Sequence, residues 1–142
     1  MEKLIKAIKQ KLSNDPELSE IVSAVRYWRQ PREPKKLIKP VVVFAVRDMS
    51  DKSGGHGMNS SPIMEFDIWA YDQHEGQIIQ ATLAADRIIN LLVTSRLEIP
   101  NGGTTRVSVV SGFQSVNEQD PNTIHLHGRF STSYWDASRI DN

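Results

Sequence analysis

The sequence has no cysteine among its 142 residues, which removes disulfide frameworks, thiolate metal sites and thiol nucleophiles together. It also has no apolar run approaching the roughly eighteen residues that a membrane-crossing helix needs. The opening MEKLIKAIKQKL lacks the uninterrupted apolar stretch of a signal peptide, so the expectation is a chain that stays in the cytoplasm. Net charge is missing too. Seventeen Lys and Arg balance seventeen Asp and Glu, which argues against a protein whose main task is gripping nucleic-acid phosphates.

What is present describes an ordinary globular chain. With 39% hydrophobic and 24% charged residues, it lies far from the composition that leaves chains disordered. Its length suits one hydrophobic core, so a single domain over 1–142 is expected. The charge is unevenly placed. Residues 1–40 carry ten basic against five acidic side chains, and residues 41–142 carry seven against twelve. If the two parts occupy different faces, the molecule is polarised and copies can pack positive face to negative face.

Leu4, Ile5, Ile8 and Leu12 recur at helical spacing between lysines, which predicts an amphipathic first helix. Asp15 followed by Pro16 reads as a cap and first position of a second helix, burying Leu18, Ile21, Val22 and Val25. Pro31, Pro34 and Pro40 then break the pattern, so 26–40 is a proline-rich basic connector. Val41 to Val46 is a β-branched run expected as a well-buried strand. The stretch 50–61, with Gly54, Gly55 and Gly57, reads as a long mobile loop. From Pro62 to Tyr71 the residues alternate in the two-residue period of a strand, with Phe66 and Ile68 facing the core. Asp72-Gln73-His74-Glu75 offers a capping box for a third helix running to about Val93. That helix should place Ile78, Ala81, Ala85, Ile88, Ile89 and Leu92 on its core face, with Gln80, Leu83, Arg87 and Leu91 behind. Two further strands are expected at about 105–116 and 123–135, separated by a turn at 117–122. The order α-α-β-β-α-β-β gives an α+β domain: a four-stranded antiparallel or mixed sheet with helices on one face.

His125 and His127 lie two apart on a strand and point the same way, as two ligands of a divalent ion would. A third ligand would have to come from His56, His74, Glu65 or Asp67, none of which the sequence places nearby. The pair is therefore read as part of a solvated or interfacial polar face, and no metal, cofactor or catalytic residue is assigned. Glu65 and Asp67 share one strand and read as another polar outer face. Gly54-Gly55-His56-Gly57 lacks the lysine and spacing of a phosphate loop. Arg26-Tyr27-Trp28-Arg29, continuing through Arg32, Lys35, Lys36 and Lys39, interleaves aromatics with cations as a nucleic-acid binder does. It reads better as a solvated arm pinned by its aromatics, since no wider basic surface accompanies it.

The layout as a whole resembles the phage tail-terminator and tail-completion family. The features are an N-terminal helical pair, the proline-led strand PVVVF, a Gly/Ser loop, the stretch EFDIWAYDQHEGQIIQATLAADRIINLL and the strand HLHGRFSTSYW. The resemblance covers nearly the full chain, and its most specific part is the strand ending in Asp67 to Ala70 with the Ala- and Ile-rich helix behind it. It implies a non-enzymatic virion protein, assembled in the host cytoplasm, that closes the head-proximal end of the tail as a homo-hexameric ring. Its partners would be other copies of itself, the tail tube protein and the head-tail connector, with no membrane and no nucleic acid beyond DNA passing through the lumen. Candidate interface residues are Arg29, Arg32, Lys35 and Lys36 of the arm, Asp51, His56 and Met58 of the loop, and Leu83, Arg87 and Leu91 of the third helix. A neck or head-completion protein, a small metal-dependent hydrolase and a nucleic-acid-binding module are the alternative readings.

Overall fold

The computed structural model describes residues 2–47, 62–72, 76–99 and 103–132. Helix α1 (Glu2–Ser13) buries Leu4, Ala7, Ile8 and Leu12, while Ile5 is only partly covered. Helix α2 (Pro16–Ile21) starts as its sequence predicts, with the Asp15 carboxylate accepting the Leu18 N–H at 2.9 Å. A second partner holds the same carboxylate. Arg87 donates to it from Nε at 2.8 Å and Nη2 at 2.7 Å, which clamps α2 to the third helix.

Arg87 holds the Asp15 carboxyl below its ordinary pKa, outweighing the burial that acts in the opposite direction. A carboxylate with a depressed folded pKa adds stability above its unfolded value of about 3.9, and that stability is lost as pH falls through the folded value. Asp15→Ala is therefore expected to cost about 1 kcal/mol or more at neutral pH through the lost cap. Asp15→Asn, which keeps an acceptor, should cost less but flatten the decline toward acid. Urea midpoints at neutral and acid pH check this, and equal acid sensitivity in wild type and Asp15→Asn would refute it.

The second helix ends sooner than expected. Val22 caps it, and Ala24–Tyr27 forms a strand, β1, paired in parallel with β2 (Val41–Arg47). Val25 and Tyr27 suit a strand better than a helix end, but only the open edge of β2 supplies the hydrogen bonds. The Ser23 N–H donates to Pro40 O and the Trp28 N–H to Phe44 O, both at 2.8 Å. The connector thus begins after the strand, and within it Pro34–Lys36 forms a single 3₁₀ turn.

β2 pairs antiparallel with β3 (Ile63–Tyr71), and β3 with β7 (Thr123–Thr132), whose other neighbour is β6 (Val107–Ser115). The sheet order is β1-β2-β3-β7-β6, a mixed five-stranded sheet where four strands are expected from the sequence. The inner face carries Val42, Phe44, Val46, Met64, Phe66, Ile68, Ala70 and Phe130, all buried. The predicted alternation is thus realised in β3 and β7. Gly128 belongs to this face because a Cβ there would meet the Phe113 ring at 3.1 Å, so the absent side chain lets β6 bring that ring in close.

Helix α3 (Gln77–Val93) covers the same face. It starts later than the Asp72 capping box implies. Its N-cap is Gly76, at φ 116°, with no capping side chain, and residues 73–75 lie outside the described residues. Gln77 fastens the start instead: its Oε1 accepts the Tyr71 N–H, and its Nε2 reaches the carbonyls of Leu37 and Ile38. Ile78 turns outward and is 56% exposed, while Ala84 joins Ala81, Ala85, Ile88 and Leu92 in the core. After α3, two short strands that the sequence reading omits, β4 (Leu97–Ile99) and β5 (Gly103–Thr105), form a separate ribbon. The Thr105 and Thr132 hydroxyls, 2.7 Å apart, tie it to β7. The loop expected at 50–61 and the end of the strand expected to reach Trp135 lie outside the described residues.

Candidate functional site

With the helices on one face, the other face of the sheet carries the alternate residues of each strand. Val41, Val43 and Trp69 form a small buried cluster there with Leu37 against it. Beside it the face is polar. Arg47 and Arg129 approach Glu65 at 3.3 and 3.8 Å, and Asp67 stands directly opposite His127 in the β3–β7 register.

Three side chains converge at that point. Asp67 Oδ1 lies 2.6 Å from His125 Nε2 and 2.8 Å from His127 Nδ1. The second nitrogen of His125, Nδ1, lies 2.7 Å from Glu118 Oε1. The His125 ring is stacked on Trp69, with 3.8 Å between ring centroids and 13° between planes. His125 and Asp67 are mostly covered, at 11% and 14% side-chain exposure, and His127 is open to solvent at 33%. Burial raises the Asp67 carboxyl, but hydrogen bonds from the two histidines outweigh it and hold the pKa below its ordinary value. Burial likewise disfavours the charged His125 ring, but the facing carboxylates of Asp67 and Glu118 outweigh it and raise its pKa. A cleft of about 350 Å³ on this face reaches Asp67 and is lined by Trp28, Val43, Arg47 and Glu65 among others.

The sequence pairs His125 with His127 but does not bring Asp67 to them. The structure does, because β3 and β7 are neighbours and their register sets those residues together. Glu118, in the turn before β7, and Gln77 at the start of α3 give no local signal at all.

The predicted interface residues separate into different surroundings. Arg29, Arg32, Lys35 and Lys36 are exposed, and Lys36 pairs with Glu33 at 2.7 Å. Leu83 is 50% exposed. Arg87 faces Asp15 and Glu17, and Leu91 packs against the core, so both also make contacts within this chain. Asp51, His56 and Met58 lie outside the described residues. No described helix is long and apolar enough to cross a membrane.

The fold has solved counterparts. It matches a chain of the virion of the native gene transfer agent particle with a TM-score of 0.62, at 19% identity over 92% of this chain and 93% of that one. It matches the bacteriophage SPP1 gp17 protein with a TM-score of 0.59, at 21% identity over 92% of this chain and 88% of that one. The chain shares the fold of these proteins. No family model matches it, and no curated protein does. The layout read from the sequence is therefore present as a three-dimensional fold shared with these chains, and the α+β expectation holds with one more strand in the sheet.

Proposed function

We propose that this chain is a structural virion protein of tail-completion type, which caps the tail tube at its head-proximal end and forms the head-tail joining surface. The observation that carries this is the fold match over 92% of the chain to a component of a virion particle and to a phage protein. The role is assembly, and the working unit is a closed ring of identical copies, six in number, touching the tube protein on one side and the connector on the other.

The surface supports such a role. Ile78, Ile79 and Leu83 stand exposed along α3, and Val109, Val110 and Val116 stand exposed on and just after β6. Among the described residues β1 and β6 end the sheet, so each offers backbone groups to another chain. The basic segment 1–40 contains β1 at one edge, while the opposite edge belongs to the acid-richer remainder. Unlike edges favour head-to-tail contacts, which close into a ring when the rotation between copies divides a full turn.

Light scattering over a range of concentrations, with negative-stain imaging of the protein alone and with tail tubes, tests the reading. Rings, or caps at one end of tubes, are expected. A strict monomer that ignores tubes at every concentration would overturn it. Capture by portal-side proteins and not by tube would move the assignment to the neck.

A further inference from the structure

The arrangement around His125 asks for more N–H donors than a neutral ring supplies. A neutral imidazole has one N–H donor, yet both ring nitrogens of His125 face carboxylates at 2.6 and 2.7 Å, and His127 Nδ1 faces the same Asp67 oxygen at 2.8 Å. A second proton on His125 meets this, and so does a cation held among Asp67 Oδ1, His125 Nε2 and His127 Nδ1. His125 can then be neutral, binding the ion through Nε2 and donating Nδ1–H to Glu118, the carboxylate-histidine-metal arrangement that orients metal ligands in general.

We propose that Asp67, His125 and His127 form a binding site for a divalent transition-metal ion of the Zn²⁺ class, with Glu118 as the positioning residue for His125. The three ligand atoms lie within 4.8 Å of one another. Bonds of about 2.0–2.2 Å to nitrogen and oxygen in tetrahedral geometry separate ligand atoms by roughly 3.3 Å. The 2.6 and 2.8 Å contacts need to open by roughly 0.5–0.7 Å to reach that, which small side-chain rotations provide.

The donor set selects the ion. Two imidazoles and one carboxylate suit Zn²⁺ and its neighbours, whereas Mg²⁺ and Ca²⁺ prefer all-oxygen sites. The backbone is rigid where it matters, because Asp67 and His127 are directly paired across adjacent antiparallel strands and His125 is one diagonal step away on the same face. Trp69 stacked beneath His125 fixes the ring plane. The exposed side of His127 leaves a coordination position for water or for a side chain of a neighbouring molecule. All four residues belong to one chain, so the site needs no assembly.

The test uses the full chain without an affinity tag, stripped with chelator and titrated with Co²⁺, whose visible absorption reports tetrahedral nitrogen and oxygen ligands, followed by Zn²⁺ competition. One Co²⁺ per chain, displaced by equimolar Zn²⁺, is expected. The double variant His125→Gln with His127→Gln should lose the absorption band. Glu118→Gln should keep the stoichiometry and weaken affinity roughly 10- to 100-fold, as loss of an outer-shell partner does. Absence of a Co²⁺ band at millimolar metal, or an undiminished band in the double variant, would overturn the proposal. Should the double variant fail to fold, imidazole nitrogen resonances of wild type decide. Zn²⁺ must shift those of His125 and His127, and unshifted signals at saturating metal refute the site.

Discussion

Phe66→Ala is expected to destabilise the protein by about 3–5 kcal/mol, the usual cost of emptying a fully buried phenylalanine site. Phe66 is wholly buried in β3, the central strand of the five. Its ring stacks on Phe44 at 5.7 Å and meets Phe130 edge-on at 5.3 Å. Phe44 in turn packs against Tyr27, and Phe130 against Phe113, so the aromatic chain runs from β1 to β6 through this one residue. Strands on both sides are held by hydrogen bonds, which limits how far the site can collapse around a lost ring. For a domain of this size, each kcal/mol moves the melting temperature by a few degrees, so a fall of roughly 10 °C or more should follow. Urea unfolding should show a lower midpoint at unchanged slope, the sign of altered stability with the same surface exposed. A loss below about 1 kcal/mol would show that the core does not centre on this stack.

On the proposed ring assembly, Ile79→Asp combined with Leu83→Asp should abolish assembly while leaving the fold intact. The two side chains are one helical turn apart, at 62% and 50% exposure on the solvent side of α3, so neither is needed by the core. Burying such a side chain in an interface contributes about 1.5–3 kcal/mol, and two of them correspond to an association constant lowered roughly 100-fold or more. A carboxylate forced into an apolar contact adds a further cost. The urea midpoint should stay near that of wild type, with mass falling to the monomer and tube ends remaining bare. Rings that persist in this variant at wild-type concentrations would remove α3 from the interface and leave the strand edges as the contact.

The Phe66 stack and the exposed side of α3 are unequally legible in the sequence. The Phe66 environment is written in the alternation of β3, and the exposed leucine on α3 in the helical period. The helical period put Ile78 on the core face, and only the packing of α3 on the sheet turned it out. Arg87 resembled a surface cation until the fold placed Asp15 against it. Asp67 and the two histidines were each visible as polar positions on strands, but Asp67 is 58 residues from His125 and 60 from His127. Nothing local states which strands are neighbours.

By itself the sequence determined the elements whose cause lies within a few residues: α1 from its spacing of apolar side chains, the Asp15-Pro16 start of α2, the buried run of β2, the inner faces of β3 and β7, and the end of α3. Those follow from periods of 3.6 and 2 and from capping chemistry, which act over short distances. Tertiary structure decided what depends on a partner. β1 is a strand because β2 has an open edge, α3 begins at Gln77 because that side chain ties it to Tyr71 and the connector, and β4 and β5 form a ribbon because they meet each other. The register between β3 and β7 is of the same kind. Burying Phe66, Ile68 and Phe130 on one face sets it, and the outward residues Asp67, His125 and His127 are brought together as its consequence.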